Sequence, residues 1–261
     1  MRRFWELAWT LAITDFKLRY FGSALGYLWS LLRPLMFFAV LYFVFTRVVR
    51  FGDDVHNYPV YLLMSVVFYV YFQETTGASV SVLVDSENLI RKIRFPLAVL
   101  PVSRAITASF NLALNLVVVF GFVFAAGISP RVEWLELLPI LAMLMVSAMG
   151  VSMILAAVYV RYRDLGHIWS VLIQVIFYGS PIIYPIEFLP DRLDRVLMAV
   201  NPLVPVIQQA RSAIVDPAAD GISGIMGGLP LAMVPFFTMA ALFALGLWLF
   251  AREAPTVAEN V

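Results

Sequence analysis

Few residues in this chain are placed to do chemistry. It has two lysines, Lys17 and Lys92, and neither follows a glycine-rich loop. A P-loop nucleotide site needs G-x-x-x-x-G-K-[ST], with the lysine reaching the phosphates, so ATP binding of that kind is excluded. H-E-x-x-H and G-x-S-x-G are absent, which removes the zinc-peptidase and serine-hydrolase arrangements. Cysteine is absent, so disulfides, thiolate catalysis and thiolate metal sites go together. His56 and His167 stand too far apart in sequence to suggest a metal cluster. The carboxylates open to acid–base work are Asp15, Glu74, Asp85, Glu87 and Asp164. Asp85 and Glu87 read as a solvated helix cap. Glu74 falls at the inner end of an apolar stretch. There it is either part of an ion path or an interfacial carboxylate paired with a nearby arginine.

Two polar segments carry more information. Residues 86–96, S-E-N-L-I-R-K-I-R-F-P, predict a short amphipathic helix. Ser86 can cap it, Glu87 suits its first turn, and Pro96 ends it. Leu89, Ile90 and Ile93 give an apolar face, and Arg91, Lys92 and Arg94 a basic one. Such a helix rests on anionic lipid or docks into a groove on a soluble partner. Residues 160–167 hold Arg161, Arg163 and Asp164, which read as a charged anchor at a span boundary. Among the aromatics, Tyr42, Phe45, Tyr71, Phe72, Phe177, Tyr178 and Tyr184 lie deep in apolar stretches rather than at their ends. A buried tyrosine hydroxyl needs a partner, so the tyrosines are candidates for lining a passage. Rings of this kind suit the C–H faces of sugars.

These residues must be positioned by helices in lipid. The chain is 62% hydrophobic and 13% charged over 261 residues, against about 25% charged for a soluble domain. Too little polar surface remains to cover it in water. A bilayer core of about 30 Å takes about 20 helical residues. On that scale six spans are predicted, at residues 32–49, 58–75, 97–125, 135–158, 168–186 and 229–250. The first stretch lacks the order of a cleavable signal and reads as a retained span. No internal repeat appears, which weakens a transporter built from paired halves.

Lysine and arginine fall unevenly about these spans. Twelve lie on one side, including Arg2, Arg3, Lys17, Arg19, Arg33, Arg91 and Lys92. Six lie on the other, Arg47, Arg50, Arg131, Arg192, Arg195 and Arg211. The positive-inside rule then puts both termini in the cytoplasm. Ahead of the first span, Trp5, Trp9, Ile13, Phe16 and Tyr20 recur at helical spacing, predicting an amphipathic helix in the interface. Gly22 and Gly26 read as a bend after it. Between the last two spans, residues 187–228 predict short re-entrant helices punctuated by Pro190, Pro202 and Pro205. The net charge of +1 gives no field for nucleic acid.

Three segments in this order resemble a known family. They are T-D-F-K-L-R-Y-F-G-S-A-L-G-Y-L-W-S-L-L-R-P-L at 14–35, the 86–96 segment, and S-P-I-I-Y-P-I-E-F-L-P at 180–190 followed by N-P-L at 201–203. The pattern is similar to the membrane permease of type-2 ATP-binding cassette exporters, in the branch that exports O-antigen, capsule, teichoic acid and related polysaccharides. The resemblance covers nearly the whole chain as one permease domain, 1–261. It implies an all-α fold in the bacterial plasma membrane, working as a homodimer with two copies of a separate ATPase subunit that binds ATP and Mg. The cargo it implies is a polyprenyl-linked glycan. Residue by residue, it implies ATPase coupling through Glu87, Asn88, Leu89, Ile90, Arg91 and Lys92. Lateral entry falls to residues 1–31 with Trp5, Trp9, Arg19, Tyr20 and Arg33, and an outer gate to Pro181, Pro185 and Glu187. Phe21 stands where a basic residue is frequent in that family. Two other readings share the sequence: a type-2 permease for a small amphipathic drug or lipid, and, more distantly, a membrane enzyme acting on lipid-linked sugars.

Overall fold

A computed structural model describes residues 2–22, 25–50 and 55–260, and of these the side chains of Tyr20, Asp191 and 255–260 lie outside the description. The entry role expected of Tyr20 therefore falls outside the described residues. Among the described residues every regular element is helical.

Helix α1 (Arg2–Tyr20) precedes α2 (Leu28–Phe43), which loosens into a π turn at Val44–Val48. Gly22 and Gly26 take φ of +77° and +50°. Left-handed backbone of this kind costs glycine little, so the expected bend forms here. Next come α3 (Tyr58–Val80), α4 (Val82–Asp85) and α5 (Glu87–Lys92). Helices α6 (Val99–Ala125), α7 (Leu137–Arg161) and α8 (Leu165–Tyr178) follow. The remainder is α9 (Asp191–Val200), α10 (Leu203–Ala210), α11 (Ile222–Met226), α12 (Leu229–Ala232) and α13 (Val234–Asn260).

Among the described residues, four helical stretches are long and apolar enough to cross a membrane: Leu28–Val48, Val99–Ala125, Val132–Arg161 and Leu229–Ala254. The predicted second and fifth spans differ from these. Helix α3 has 23 residues, ample for a crossing at 1.5 Å per residue, but it carries Gln73, Glu74, Thr75 and Thr76. It tolerates them because most of its side chains are buried by α2, α6, α7 and α8. Its inner hydroxyls also return to its own backbone. Ser65 donates to the Tyr61 carbonyl at 2.8 Å, Thr76 to Phe72 at 2.7 Å and Ser79 to Thr75 at 2.7 Å.

The predicted span 168–186 is shorter than expected. Helix α8 stops at Tyr178 after 14 residues, about 21 Å of rise. Gly179 and then Pro181 and Pro185 turn the chain into an irregular connection, which the hydrophobic run concealed. On α7, Ala148, Ser152 and Ala156 form a fully buried stripe of small residues, and Ser152 donates across to the Thr75 carbonyl at 3.3 Å. The outer segment forms the short helices expected within 187–228, α9 and α10. Its third piece, α11, was not anticipated.

Candidate functional site

A groove of about 1030 Å³ opens at the α1 end of the bundle. Each wall is a short stripe at helical spacing. Helix α2 gives Trp29, Ser30, Arg33, Pro34 and Phe37, and α3 gives Tyr69, Val70, Gln73 and Glu74. Helix α6 adds Asn111 and Asn115, α8 adds Gln174, Phe177 and Tyr178, and Arg19 arrives from α1. The groove thus combines aromatic rings, side-chain amides and two guanidiniums. Phe177 packs on Phe37 at 5.3 Å and on Tyr69 at 4.8 Å between ring centroids. A smaller pocket of about 480 Å³ shares Gln73 and Gln174 with it and extends toward Ser81, Tyr159 and Trp169.

The charges are organised around α1. Arg19 pairs with Glu74 on α3 and, at 3.3 Å, with Asp15 on its own helix. Asp15 also pairs with Arg104 on α6. Asn111 donates to both Glu74 carboxylate oxygens, at 2.8 and 3.0 Å. Asn115 donates to the Ser30 carbonyl at 3.1 Å, joining α6 to α2. Of the two readings of Glu74, the geometry is that of a carboxylate paired with an arginine. Arg33 lines the same groove with no ion pair among the described residues. The local balance therefore favours an anion. A guanidinium offers a planar fork of donors suited to phosphate or carboxylate.

The expected site residues divide between this groove and other places. Arg19, Arg33, Phe177 and Tyr178 meet in it. Trp5 and Trp9 lie exposed on α1, with the Trp9 ring edge-on to Phe110 at 5.3 Å. Tyr42 borders a separate pocket near the opposite end, and Phe45 packs half-buried against the core. Tyr71 and Phe72, expected to line a passage, are buried in the core instead, with Phe72 against Trp169. They occupy the face of α3 turned away from the groove. Tyr184 also lies outside it, and its hydroxyl donates to the Tyr178 carbonyl at 3.0 Å.

Pro181, Pro185 and Glu187 sit in the connection above the N-terminal half of α3. The Tyr61 hydroxyl donates to the carbonyls of Pro181 and Tyr184, and Tyr58 donates to Ile183 at 2.9 Å. Glu187 receives the Arg211 guanidinium at 2.6 and 2.9 Å. Asn201 donates to the Ser180 hydroxyl at 2.8 Å. Pro185 borders a small pocket beside Arg211.

Helix α5 forms within the predicted 86–96 segment but ends at Lys92, ahead of an extended run into Pro96. Ser86 occupies the N-cap position without a side-chain hydrogen bond. In place of that cap, Glu87 and Arg91 pair at 2.5 Å one turn apart. Leu89 and Ile90 pack half-buried on the cluster formed by Val82, Leu83, Leu100 and Met153. Asn88, Arg91, Lys92 and Ile93 remain exposed.

The groove residues not anticipated include Gln73, Gln174, Asn111, Asn115, Trp29 and Tyr69. Asn111 and Asn115 did carry a signal, since two amides four residues apart in an otherwise apolar helix mark a polar face. Among the described residues no group of acidic and histidine side chains is arranged to hold a metal.

Apolar helices long enough to cross a membrane, packed around a groove of charge, amides and rings, are consistent with a membrane transport protein. Residues 6–215 match the family described as ABC-2 type transporter, and the chain belongs to that family. It is 29% identical over 238 residues to the O-antigen export system permease protein RfbA of Myxococcus xanthus, covering 90% of each chain. A permease of the same name from Klebsiella pneumoniae is 30% identical over 203 residues, 77% of each chain. The polysialic acid transport protein KpsM of Escherichia coli is 23% identical over 243 residues, 92% of this chain and 90% of that one.

Proposed function

We propose that the chain is the membrane-spanning subunit of an ATP-driven exporter that moves a polyprenyl-linked polysaccharide across the bacterial plasma membrane. It works as a homodimer with two copies of an ATPase subunit, which bind the ATP and Mg. Six crossings are inferred, with α3 and α8 added to the four long apolar stretches. Helix α3 passes shielded by its neighbours, and α8 is completed by the connection after Tyr178. Both termini then face the cytoplasm, where most of the lysine and arginine falls.

The observation that carries this reading is the groove. Arg19 and Arg33 line a cleft whose other walls are rings, amides and the Glu74 carboxylate. A lipid-linked glycan carries phosphate beside sugar, and these two chemistries are the ones offered. Guanidiniums hold the phosphate, and rings with side-chain amides take the sugar faces and hydroxyls. Helix α1 closes the groove from the lipid side through Arg19. Helix α5 presents Asn88, Arg91 and Lys92 to the ATPase, while Leu89 and Ile90 transmit its movement into the bundle.

The test is co-expression with an ATP-binding cassette ATPase from the same genome. ATP hydrolysis by the purified complex is measured with and without a polyprenyl-pyrophosphate-linked oligosaccharide. Stimulation by the lipid-linked sugar, lost in Arg33→Gln, is expected. Failure of any ATPase subunit to copurify overturns the reading. Stimulation by amphipathic drugs but not by lipid-linked sugar assigns the chain to a different cargo.

A further inference from the structure

A second pocket, of about 570 Å³, lies toward the opposite end of the bundle and has no part in the groove. Its size falls within the about 300–1,000 Å³ typical of small-ligand sites. Tyr42, Thr46, Arg47, Arg50, Asn57 and Tyr58 border it. Several of its polar groups already have partners. The Thr46 hydroxyl turns back to the Tyr42 carbonyl at 2.5 Å. The Tyr58 hydroxyl donates to the Ile183 carbonyl, and the Asn57 amide reaches Val215 at 3.4 Å. The guanidiniums of Arg47 and Arg50 differ, since neither has an ion pair among the described residues.

The backbone brings these two cations to one pocket. Tyr42, Thr46 and Arg50 follow at four-residue spacing, and Arg47 precedes Arg50 by three, so helical spacing already sets the two arginines side by side. The π turn Val44–Val48 inserts an extra residue, closed by the Val49 amide on the Val44 carbonyl at 2.9 Å. Arg50 then takes a left-handed φ of 59°. A π turn and a left-handed arginine both cost free energy, and such features concentrate at functional positions.

We infer that this pocket is an oxyanion site at the exit end of the permease. It takes a phosphate, sulfate or carboxylate group in the fork of Arg47 and Arg50. The group belongs either to an acidic glycan leaving the protein or to the headgroup of an outer-leaflet lipid. Calling this end the exit rests on the proposed function, but anion binding there does not.

Binding is measured on the full-length chain in nanodiscs, without ATP or transport, so failure here leaves the proposed function standing. The probes are fluorescent oligosialic acid and a neutral maltooligosaccharide of equal length, with nanodiscs of phosphatidylcholine alone. A parallel preparation contains phosphatidylglycerol, and retained lipid is counted by mass spectrometry. Oligosialic acid is expected to bind at least about tenfold more tightly than the neutral sugar, a difference lost in Arg47→Gln/Arg50→Gln and kept in large part by Arg47→Lys/Arg50→Lys. If the glutamine variant instead loses only phosphatidylglycerol, the oxyanion comes from the lipid headgroup. Unchanged binding of both ligands in the glutamine variant overturns the inference. Asp53 and Asp54 follow in sequence and lie outside the described residues. Anion binding that appears only in Asp53→Asn/Asp54→Asn would mean that the chain's own carboxylates fill the pocket, and this also overturns it.

Discussion

The Arg19 guanidinium on α1 meets the Glu74 carboxylate on α3, and Asn111 on α6 holds that same carboxylate by both oxygens. Three helices are thereby joined at one anion. The pair is only partly screened, with side-chain exposures of 33% and 19%. Its value therefore lies between that of a surface pair, about 0–1 kcal/mol, and that of a buried pair broken on one side, about 3–5 kcal/mol. Glu74→Gln keeps an acceptor for Asn111 and removes the attraction for Arg19. It is expected to cost about 1–2 kcal/mol, read as a lower melting temperature in nanodiscs. Arg19→Gln/Glu74→Gln should cost less than the sum of the single changes, giving a coupling of about 0.5–1.5 kcal/mol. Strict additivity would show that α1 is not held through this pair.

Helix α5 makes a separable prediction, because its two faces do different work. Leu89 and Ile90 pack into the bundle, while Asn88, Arg91 and Lys92 are exposed. Lys92→Glu reverses an exposed charge that has no ion pair or hydrogen bond among the described residues. Expression and melting should stay unchanged, while ATPase copurification or stimulated hydrolysis falls about tenfold, about 1.4 kcal/mol of docking. Leu89→Asp should fail differently, by lowering the yield of folded protein, since a carboxylate would enter an apolar cluster. If Lys92→Glu leaves coupling intact, the docking face lies elsewhere.

How much of this was legible in the sequence depended on which force set each feature. The long apolar stretches were readable because burial in lipid writes itself into composition. The 97–125 prediction became Val99–Ala125, and 135–158 became Leu137–Arg161. The α1–α2 bend was readable because Gly22 and Gly26 sit where the helix must turn. Helix α8 was overextended because Ile182, Ile183 and Ile186 are apolar for packing in a connection, not for helix formation. Within the site, Arg19, Arg33, Phe177 and Tyr178 were found by charge and ring chemistry. Tyr71 and Phe72 differ from Tyr69 and Val70 only by which face of α3 they occupy. An all-round buried helix has no hydrophobic period to reveal that face.

The close crossing of α7 and α13 was not legible either, because it depends on a pair of glycines distant in sequence. A Cβ on Gly150 would stand 2.8 Å from the Phe243 backbone, and one on Gly246 would strike the Gly150 carbonyl oxygen. These obstacles are backbone atoms and cannot swing aside. Gly246→Ala should therefore separate the helices at a cost of about 1–3 kcal/mol, measured by thermal melting. The control is Gly121→Ala on exposed α6, where a Cβ meets nothing within 4 Å. There the loss of backbone freedom in the unfolded chain favours a gain of about 0.5–1 kcal/mol. Equal effects at the two positions would mean that the crossing has room to relax.

One hydroxyl among the contacts that hold the connection after α8 can be removed alone, which allows a narrow test. Tyr61 donates to two carbonyls of that connection, and its ring also lies 5.3 Å beneath the Arg211 guanidinium. Tyr61→Phe preserves the ring and deletes only the donor. The two buried carbonyls that share its one proton then lose it, at an expected cost of about 1–3 kcal/mol. Hydrogen exchange should rise in residues 180–189 before it rises in α3 itself, because the helix keeps its own backbone bonds. Glu187→Gln attacks the same connection from its other end. It leaves Arg211, whose side chain is 8% exposed, with only the Asp216 carboxylate at 3.8 Å. Glu187 itself is 42% exposed, so the cost should lie between that of a surface pair and that of a buried pair, about 1–2 kcal/mol. Both variants loosen one segment, so Tyr61→Phe/Glu187→Gln should be less than additive in melting. Full additivity would show that the two contacts hold independent structures. The connection would then be a loose loop rather than a single clamped cap over α3.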